Sequence, residues 1–365
     1  MTNDIAIDLL HGTGNPRNSE GAFITLDSGR ILFIYTCYYA ESWSDIAEAK
    51  LVSRHSDDGG RTWSSDVQVV LENEATWNTM SVSLLRLNDR RIALFYLRTN
   101  SFHDCRLYLR TSSDEAITWS EPTLCIPAPG YFPVLNDRVI QLSGGRLLIP
   151  TAYHRPKLAD RPADWKAWDF RAATLFYYSD DNGETWQESQ DWWSLPVRSR
   201  TGLQEPGAIE LLSGEIYAWA RTDTGRQWAL RSMDQGQSWS PPEPTGFLSP
   251  NSSLSFKRIP ETGDLLAVWN DRSSRWKLPA PILTDTLGAD SSWGRTPLAV
   301  AISSNEGKTW KKRKLIEEDH RQGFCYAAMH FDKDALLLAY CFGGNGDGVL
   351  QNTRIRRVTL DWLYQ

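Results

Sequence analysis

Ser56-Asp57-Asp58-Gly59-Gly60-Arg61-Thr62-Trp63 is the first of five near-copies of one eight-residue turn. The others are SSDEAITW (112–119), SDDNGETW (179–186), SMDQGQSW (232–239) and SSNEGKTW (303–310). Their common form is Ser-x-Asp-x-Gly-x-Thr-Trp, and each part has a physical job. The Asp side chain bonds the backbone of a tight turn. The Gly supplies a position with φ > 0. The Trp is a large apolar body that locks the turn onto a sheet. Ala116 replaces Gly in the second copy, which predicts strain or a reshaped turn there, and Asn305 replaces Asp in the fifth, where the same turn geometry is tolerated. The copies start at 56, 112, 179, 232 and 303, so the repeat runs through most of the chain.

A second repeat agrees with the first. Six times a polar turn leads into an apolar run: DSGRILFIY (27–35), NDRRIALFYL (88–97), SGGRLLIPTAY (143–153), SGEIYAWAR (213–221), TGDLLAVWN (262–270) and DKDALLLAYC (332–341). Each reads as a turn and a buried strand. A further run ends at the Ser of each eight-residue turn: KLVSRHS (50–56), RLYLRTS (106–112), TLFYYS (174–179), QWALRS (227–232) and PLAVAIS (297–303). A strand unit recurring at such a period implies a propeller. The expected fold is all-β: six blades of four antiparallel strands in a single domain over 1–365. NTRIRRVTLDW (352–362) is expected as the last strand of the sixth blade, with residues near Ile5–Leu10 pairing to it and closing the ring. The insertions at 154–171 and 271–296 are the longest, and such loops often shape a pocket.

Bulk properties exclude several classes. Net charge is −6, and basic and acidic residues are interspersed, so a nucleic-acid surface is not expected. No segment reaches the roughly 18 apolar residues of a membrane span. MTNDIAIDLL lacks a cationic and an apolar leader region, which gives a cytoplasmic expectation, or a secreted one if a leader has been removed. Cys37, Cys105, Cys125, Cys325 and Cys341 are odd in number and scattered, and no Cys-x-x-Cys pair occurs, so neither a disulfide framework nor a zinc site is indicated. His154 is one of six histidines and has no partner at ligand spacing, so no metal or other cofactor is expected.

The five turns are those called Asp-boxes or BNR repeats, and with six blades the whole chain resembles the sialidase superfamily. The turns recur in binding proteins and in other glycosidases, so function rests on the site. The resemblance implies an exo-α-sialidase-like glycoside hydrolase acting on a sialoglycan or another acidic oligosaccharide. A substrate carboxylate on the anomeric carbon calls for arginine forks. It would also repel a carboxylate nucleophile, and the family uses a Tyr activated by a Glu instead. An Asp on a loop acts as acid and base.

Carried onto this chain, Glu205 lies in LQEPGAIELLSGEIYAWAR and Arg221 ends the same strand pair. Arg295 lies in GRTPLAVAISSNEGKTW, where the family places its third Arg, and Tyr326 in GFCYAAMHF, where its nucleophile lies. Asp45 in ESWSDIAEAK takes the place of the acid, and Arg17 in GNPRNSEGAF that of the first Arg. The family's aromatic-Arg-Ile-Pro motif is replaced here by Asn15-Pro16-Arg17-Asn18, while Arg258-Ile259-Pro260 reads as scaffold in blade 5. The carboxylate that often steadies the first Arg from the last blade is also replaced, by the run Leu338-Ala339-Tyr340-Cys341, and Glu20 is the candidate for that role. Each assignment has a plain alternative: Arg221 pairing with Asp223, Glu205 as a surface carboxylate, Tyr326 as a core aromatic, Arg295 as a solvated loop residue, and Glu41 or Glu48 in place of Asp45. Asn78, Asn136, Arg138, His154, Gln227 and Asn270 interrupt apolar strands. They are candidates for binding substrate hydroxyls, or equally for satisfying buried backbone groups. Two rival functions stay open: a related propeller enzyme, hydrolase or lyase, acting on a different acidic or neutral sugar, and a sugar-binding propeller without catalysis.

Overall fold

The computed structural model describes residues 2–276, 292–344 and 346–365. Of the 271–296 insertion, residues 277–291 lie outside the described residues. Six four-stranded antiparallel sheets follow one another as blades. Blade 1 runs Arg17–Thr25, Ile31–Tyr38, Ala49–Ser56, Gln68–Leu71, and blade 2 runs Asn78–Arg86, Ile92–Ser101, Asp104–Ser112, Thr123–Leu124. Blade 3 is Ile140–Gln141, Leu147–Pro156, Trp168–Ser179, Gln187–Glu188, and blade 4 is Gln204–Glu210, Ile216–Arg221, Arg226–Ser232, Glu243–Leu248. Blade 5 is Ser255–Arg258, Leu265–Trp269, Leu298–Ser303, Lys311–Glu317. Blade 6 takes Gln322–Asp332, Ala335–Gly344 and Asn352–Thr359 from the end of the chain and Asn3–Leu9 from its beginning. That last pairing, Asn3 opposite Val358 through Leu9 opposite Thr353, closes the ring as the sequence implied.

One expectation is corrected. The last strand ends at Thr359, and Leu360–Tyr364 forms a short helix whose first turn is capped by the Thr359 side chain accepting from Trp362 N. The 154–171 insertion caps a hairpin: its ends extend the paired strands Leu147–Pro156 and Trp168–Ser179, and residues 157–167 between them form a loop that carries the 3-10 turn Trp165–Ala167. Aromatic stacking holds this extension, with His154 over Trp168 at 4.3 Å and Phe102 against Trp165 at 4.5 Å. Among the described residues no helix is long and apolar enough to cross a membrane.

The eight-residue turns explain how blades are joined. In the third copy Ser179 Oγ donates to Asp181 Oδ1 at 2.7 Å and accepts from Gly183 N at 2.9 Å, while Thr185 N donates to the same Asp at 2.9 Å. The second copy keeps this pattern: Ala116 adopts φ 65 and its N–H still reaches Ser112 Oγ at 2.9 Å, so the turn holds its shape at the conformational cost of a non-glycine in the left-handed region. The Trp then reaches the neighbouring blade. Trp186 meets Phe95 of blade 2 edge-on, and Trp239 stacks on Phe176 of blade 3 at 3.6 Å. The core is therefore a series of interblade layers, such as Phe95, Leu147, Ile149 and Tyr177 between blades 2 and 3.

Candidate active site

The inner strands share one device. In blades 1, 4 and 6 the pairing register skips, between Ser19 and Ala22, Gln204 and Gly207, and Cys325 and Ala328. At each skip one residue turns to positive φ: Glu20 (52°), Glu205 (47°) and Tyr326 (60°). Ser81 of blade 2 does the same at 58°, beside the skip between Met80 and Ser83. A bulge leaves one residue out of the ladder and re-aims its side chain. Each left-handed non-glycine costs on the order of 1–3 kcal/mol and persists because its surroundings over-determine it. The glycines beside two bulges permit the close pass: a Cβ on Gly21 would meet Phe33 at 2.4 Å, and one on Gly207 would meet Trp219 at 2.4 Å.

Two clusters result. In the first, the Tyr326 hydroxyl donates to Glu205 Oε1 at 3.2 Å and accepts from Arg221 Nη1 at 3.4 Å. Arg221 forms an ion pair with Glu205 Oε2 at 2.8 Å, and its Nε donates to Gln204 Oε1 at 3.2 Å. The guanidinium of Arg295 lies 5.3 Å from the Tyr326 ring centre and 5.4 Å from that of Trp293, and its Nη1 approaches Cys325 Sγ at 3.1 Å. Burial, with the Glu205 charge, pushes the Tyr326 phenol well above its ordinary range, while Arg221 and Arg295 pull it down. Burial opposes the charge of Arg295, but Cys325, Tyr326 and Glu205 outweigh it and hold the guanidinium protonated. Three arms from blades 4, 5 and 6 thus put a phenol, a carboxylate and two guanidiniums in one cluster.

The second cluster is built by blade 1. Arg17 is fully buried. Its Nε donates to Ser19 Oγ at 2.9 Å, Nη1 to Asp45 Oδ1 at 2.5 Å and to Trp43 O at 3.2 Å, and Nη2 to Glu20 Oε1 at 2.7 Å. Its guanidinium sits 4.6 Å from the Tyr38 ring centre. Burial raises Glu20 to about 7 against the pull of Arg17, helped by the charges of Asp45 and Glu205. Asp45 is half exposed on the loop between Tyr38 and Ala49. The two clusters adjoin: the amide of Asn136 spans Gly21 O at 2.8 Å and Tyr326 O at 3.3 Å.

All six core candidates, Arg17, Asp45, Glu205, Arg221, Arg295 and Tyr326, therefore belong to two contiguous clusters, and Glu20 contacts Arg17 as expected. The alternatives for Arg221 and Glu205 fall away, since Asp223 bonds Ser199, Thr201 and Arg200 N, and Glu205 is mostly buried. Four further candidates donate to the protein's own groups, the second of the two readings given for such residues. Arg138 reaches across to blade 5, bonding Ser255 Oγ at 3.0 Å and Leu254 O at 2.8 Å. Gln227 Nε2 bonds Ser249 Oγ at 2.8 Å and Ser252 O at 2.7 Å. His154 Nδ1 pairs with Asp169 O at 2.8 Å, and burial lowers the ring to about 4. Asn136 joins backbones, as above. Arg258 is scaffold as read, held by both oxygens of Glu306 at 2.7 and 2.9 Å. Gln204, Cys325, Trp43 and Trp293 are neighbours that sequence reading did not single out. Gln204 and Cys325 each immediately precede a bulged residue, and the sequence signal was Glu-Gly at 20–21 and Glu-Pro-Gly at 205–207. No group of three or more His, Cys, Asp or Glu that could hold a metal occurs among the described residues.

Comparison with known proteins fits this picture. Residues 45–338 match the model of the BNR repeat-like domain. A sialidase of Bacteroides fragilis (strain YCH46) is 21% identical over 348 residues, covering 87% of this chain and 58% of that one. A sialidase of Micromonospora viridifaciens is 24% identical over 298 residues, covering 73% of this chain and 41% of that one. The chain thus spans about half the length of these relatives. A crystal structure of a protein of unknown function from Dyadobacter fermentans DSM 18053 superposes with a TM-score of 0.72 at 16% identity, covering 98% of this chain and 99% of that one. The family match, the sialidase relatives and the six blades agree: this chain belongs to the BNR repeat-like domain family and is a sialidase-like β-propeller.

Proposed function

We propose that the chain is a retaining, exo-acting glycoside hydrolase of sialidase type that releases a terminal acidic sugar from a sialoglycan. The observation that carries this reading is the partly buried hydrogen bond from Tyr326 to Glu205 at 3.2 Å, with Arg221 at 3.4 Å from the same phenol oxygen. A phenol bonded to a carboxylate beside two arginines is an activated neutral nucleophile next to an anion site. Arg221 and Arg295 hold the substrate carboxylate, and Arg17 joins them when its Nη1 exchanges Asp45 for the substrate. The phenol proton passes to Glu205 as Tyr326 Oη bonds to the anomeric carbon. Protonated Asp45 gives its proton to the departing glycosidic oxygen as that bond breaks. In the second step Asp45 takes a proton from water, the water oxygen attacks the anomeric carbon, and Tyr326 leaves and recovers its proton from Glu205. Two inversions give net retention.

Hydrolysis of a fluorogenic α-sialoside tests the reading. Wild type should turn over, and Tyr326→Phe should lose on the order of a thousandfold or more in kcat with an unchanged melting temperature. Arg221→Ala should lose activity chiefly through the anion site. Full activity in Tyr326→Phe would refute the assignment. One observation favours a second reading: all three nitrogens of Arg17 are engaged by protein groups. An enzyme for a different acidic or neutral sugar would leave Arg17 in that state, and a glycoside panel with no sialoside turnover but turnover on another sugar would select it.

A further inference from the structure

Asn78, Asn136 and Asn270 come from blades 2, 3 and 5 and are 0%, 1% and 1% exposed. Each turns its amide nitrogen onto backbone carbonyls of a candidate site residue or its neighbours. Asn78 Nδ2 donates to Asp45 O at 2.7 Å and Ala47 O at 3.0 Å. Asn136 Nδ2 donates to Gly21 O and Tyr326 O. Asn270 Nδ2 reaches Arg295 O at 2.9 Å, Phe324 O at 3.0 Å and Pro297 O at 3.1 Å. In all three the Oδ1 atom is buried and has no partner among the described residues. An unpaired buried acceptor is costly, so the three amides share a geometry that the scaffold does not otherwise reward. What they have in common is the target. The carbonyls of Asp45 and Ala47 lie in the acid loop, those of Gly21 and Tyr326 in two bulges, and those of Arg295 and Pro297 in the turn before Leu298–Ser303; Phe324 is in the ladder opposite Phe342, and its N–H also bonds Arg295 O at 2.8 Å. A bulged or looped carbonyl has no strand partner, and a buried one needs a donor. Asn supplies two N–H groups on a short, stiff side chain, enough to tie two carbonyls from separate segments.

We infer that Asn78, Asn136 and Asn270 are positioning residues that clamp the backbones of Asp45, Tyr326 and Arg295 from neighbouring blades. The inference rests on the reaction proposed above for the meaning of its kinetic arm, but the geometric arm stands alone. Asn→Leu at each position keeps the branching of the side chain, adds some volume and removes both donors. In Asn78→Leu the acid loop loses its tie, so turnover of a sialoside with a sugar leaving group, which needs protonation, should fall roughly 100-fold. The kcat/KM of a sialoside with a nitrophenol leaving group, which departs without a proton and whose kcat/KM does not report the later base step of Asp45, should fall only a few-fold, so the two substrates are compared in kcat/KM. Asn136→Leu should lower kcat for both substrates alike, since both need Tyr326, and Asn270→Leu should act mainly on KM through Arg295. Hydrogen–deuterium exchange of segment 43–48 should rise in Asn78→Leu and stay as in wild type in Asn270→Leu. Equal losses on both substrates in Asn78→Leu, or unchanged exchange at 43–48, would overturn the inference. If wild type turns over neither sialoside, the proposed reaction fails, and the exchange arm still decides whether Asn78 holds the loop.

Discussion

Glu20 is a carboxyl only 6% exposed, bonded to Arg17 and raised to about 7 by burial. A group whose folded value lies above its unfolded one stabilises the fold fully below the unfolded value of 4.5, and that contribution is lost as pH rises through about 7. Glu20→Gln should therefore flatten the pH dependence of the melting temperature between about 4.5 and 7. Parallel wild-type and variant curves over that window would contradict the burial argument. At this scale the resemblance made residue types legible: three arginines, a Tyr, a Glu and an Asp, in the expected order along the chain. The sequence was not legible where orientation decides. Arg138, His154 and Gln227 are polar residues in apolar runs like the others, and only the fold shows that their donors meet Leu254, Asp169 and Ser252.

At the scale of the element, the eight-residue turns and the bulged strands divide the labour. Five blades carry a turn between their third and fourth strands; its Asp knits the turn itself, and Trp186 and Trp239 pack onto the neighbouring blade. Asp181→Ala removes the acceptor for Ser179 Oγ and Thr185 N and should cost roughly 1–3 kcal/mol. Trp239→Ala empties a buried stack on Phe176 and should cost about 3–5 kcal/mol. Both losses are read from denaturant midpoints, and kcat should be unchanged in either variant at a temperature where it stays folded. A large loss of kcat from Asp181→Ala with full stability would place the turn in the chemistry, against this division. The strands carrying these turns could be read directly, because Ser, Asp, Gly and Trp each act within a few residues. The bulges could not, because a register skip depends on the partner strand. The same limit hid the helix Leu360–Tyr364, which continues an alternating run without a break in pattern.

Across the whole molecule, the ring is closed by a strand from each end of the chain, Asn3–Leu9 on Asn352–Thr359. Arg354 reinforces the seam, its Nε and Nη2 donating to the two oxygens of Asp8 at 2.8 and 2.9 Å and its Nη1 to Glu317 Oε1 at 2.9 Å. Removing residues 1–10 should expose the edge of Asn352–Thr359 and lower the melting temperature by several degrees, since an unpaired edge leaves a row of unmet backbone groups. An unchanged transition would mean that the first strand does not close the ring. Blade number and closure were legible because repeats state them outright. The meeting of the candidate residues was legible only through family resemblance, since Tyr326 and Glu205 are separated by 121 positions. Covalent trapping tests the proposed role of Tyr326 as nucleophile most directly. Incubation with a fluorinated sialosyl fluoride, followed by mass spectrometry of the digested protein, should give a sugar adduct on the peptide carrying Tyr326 and none in Tyr326→Phe. An adduct on Glu205 or Asp45, or rapid turnover of an α-sialoside by Tyr326→Phe, would contradict the account.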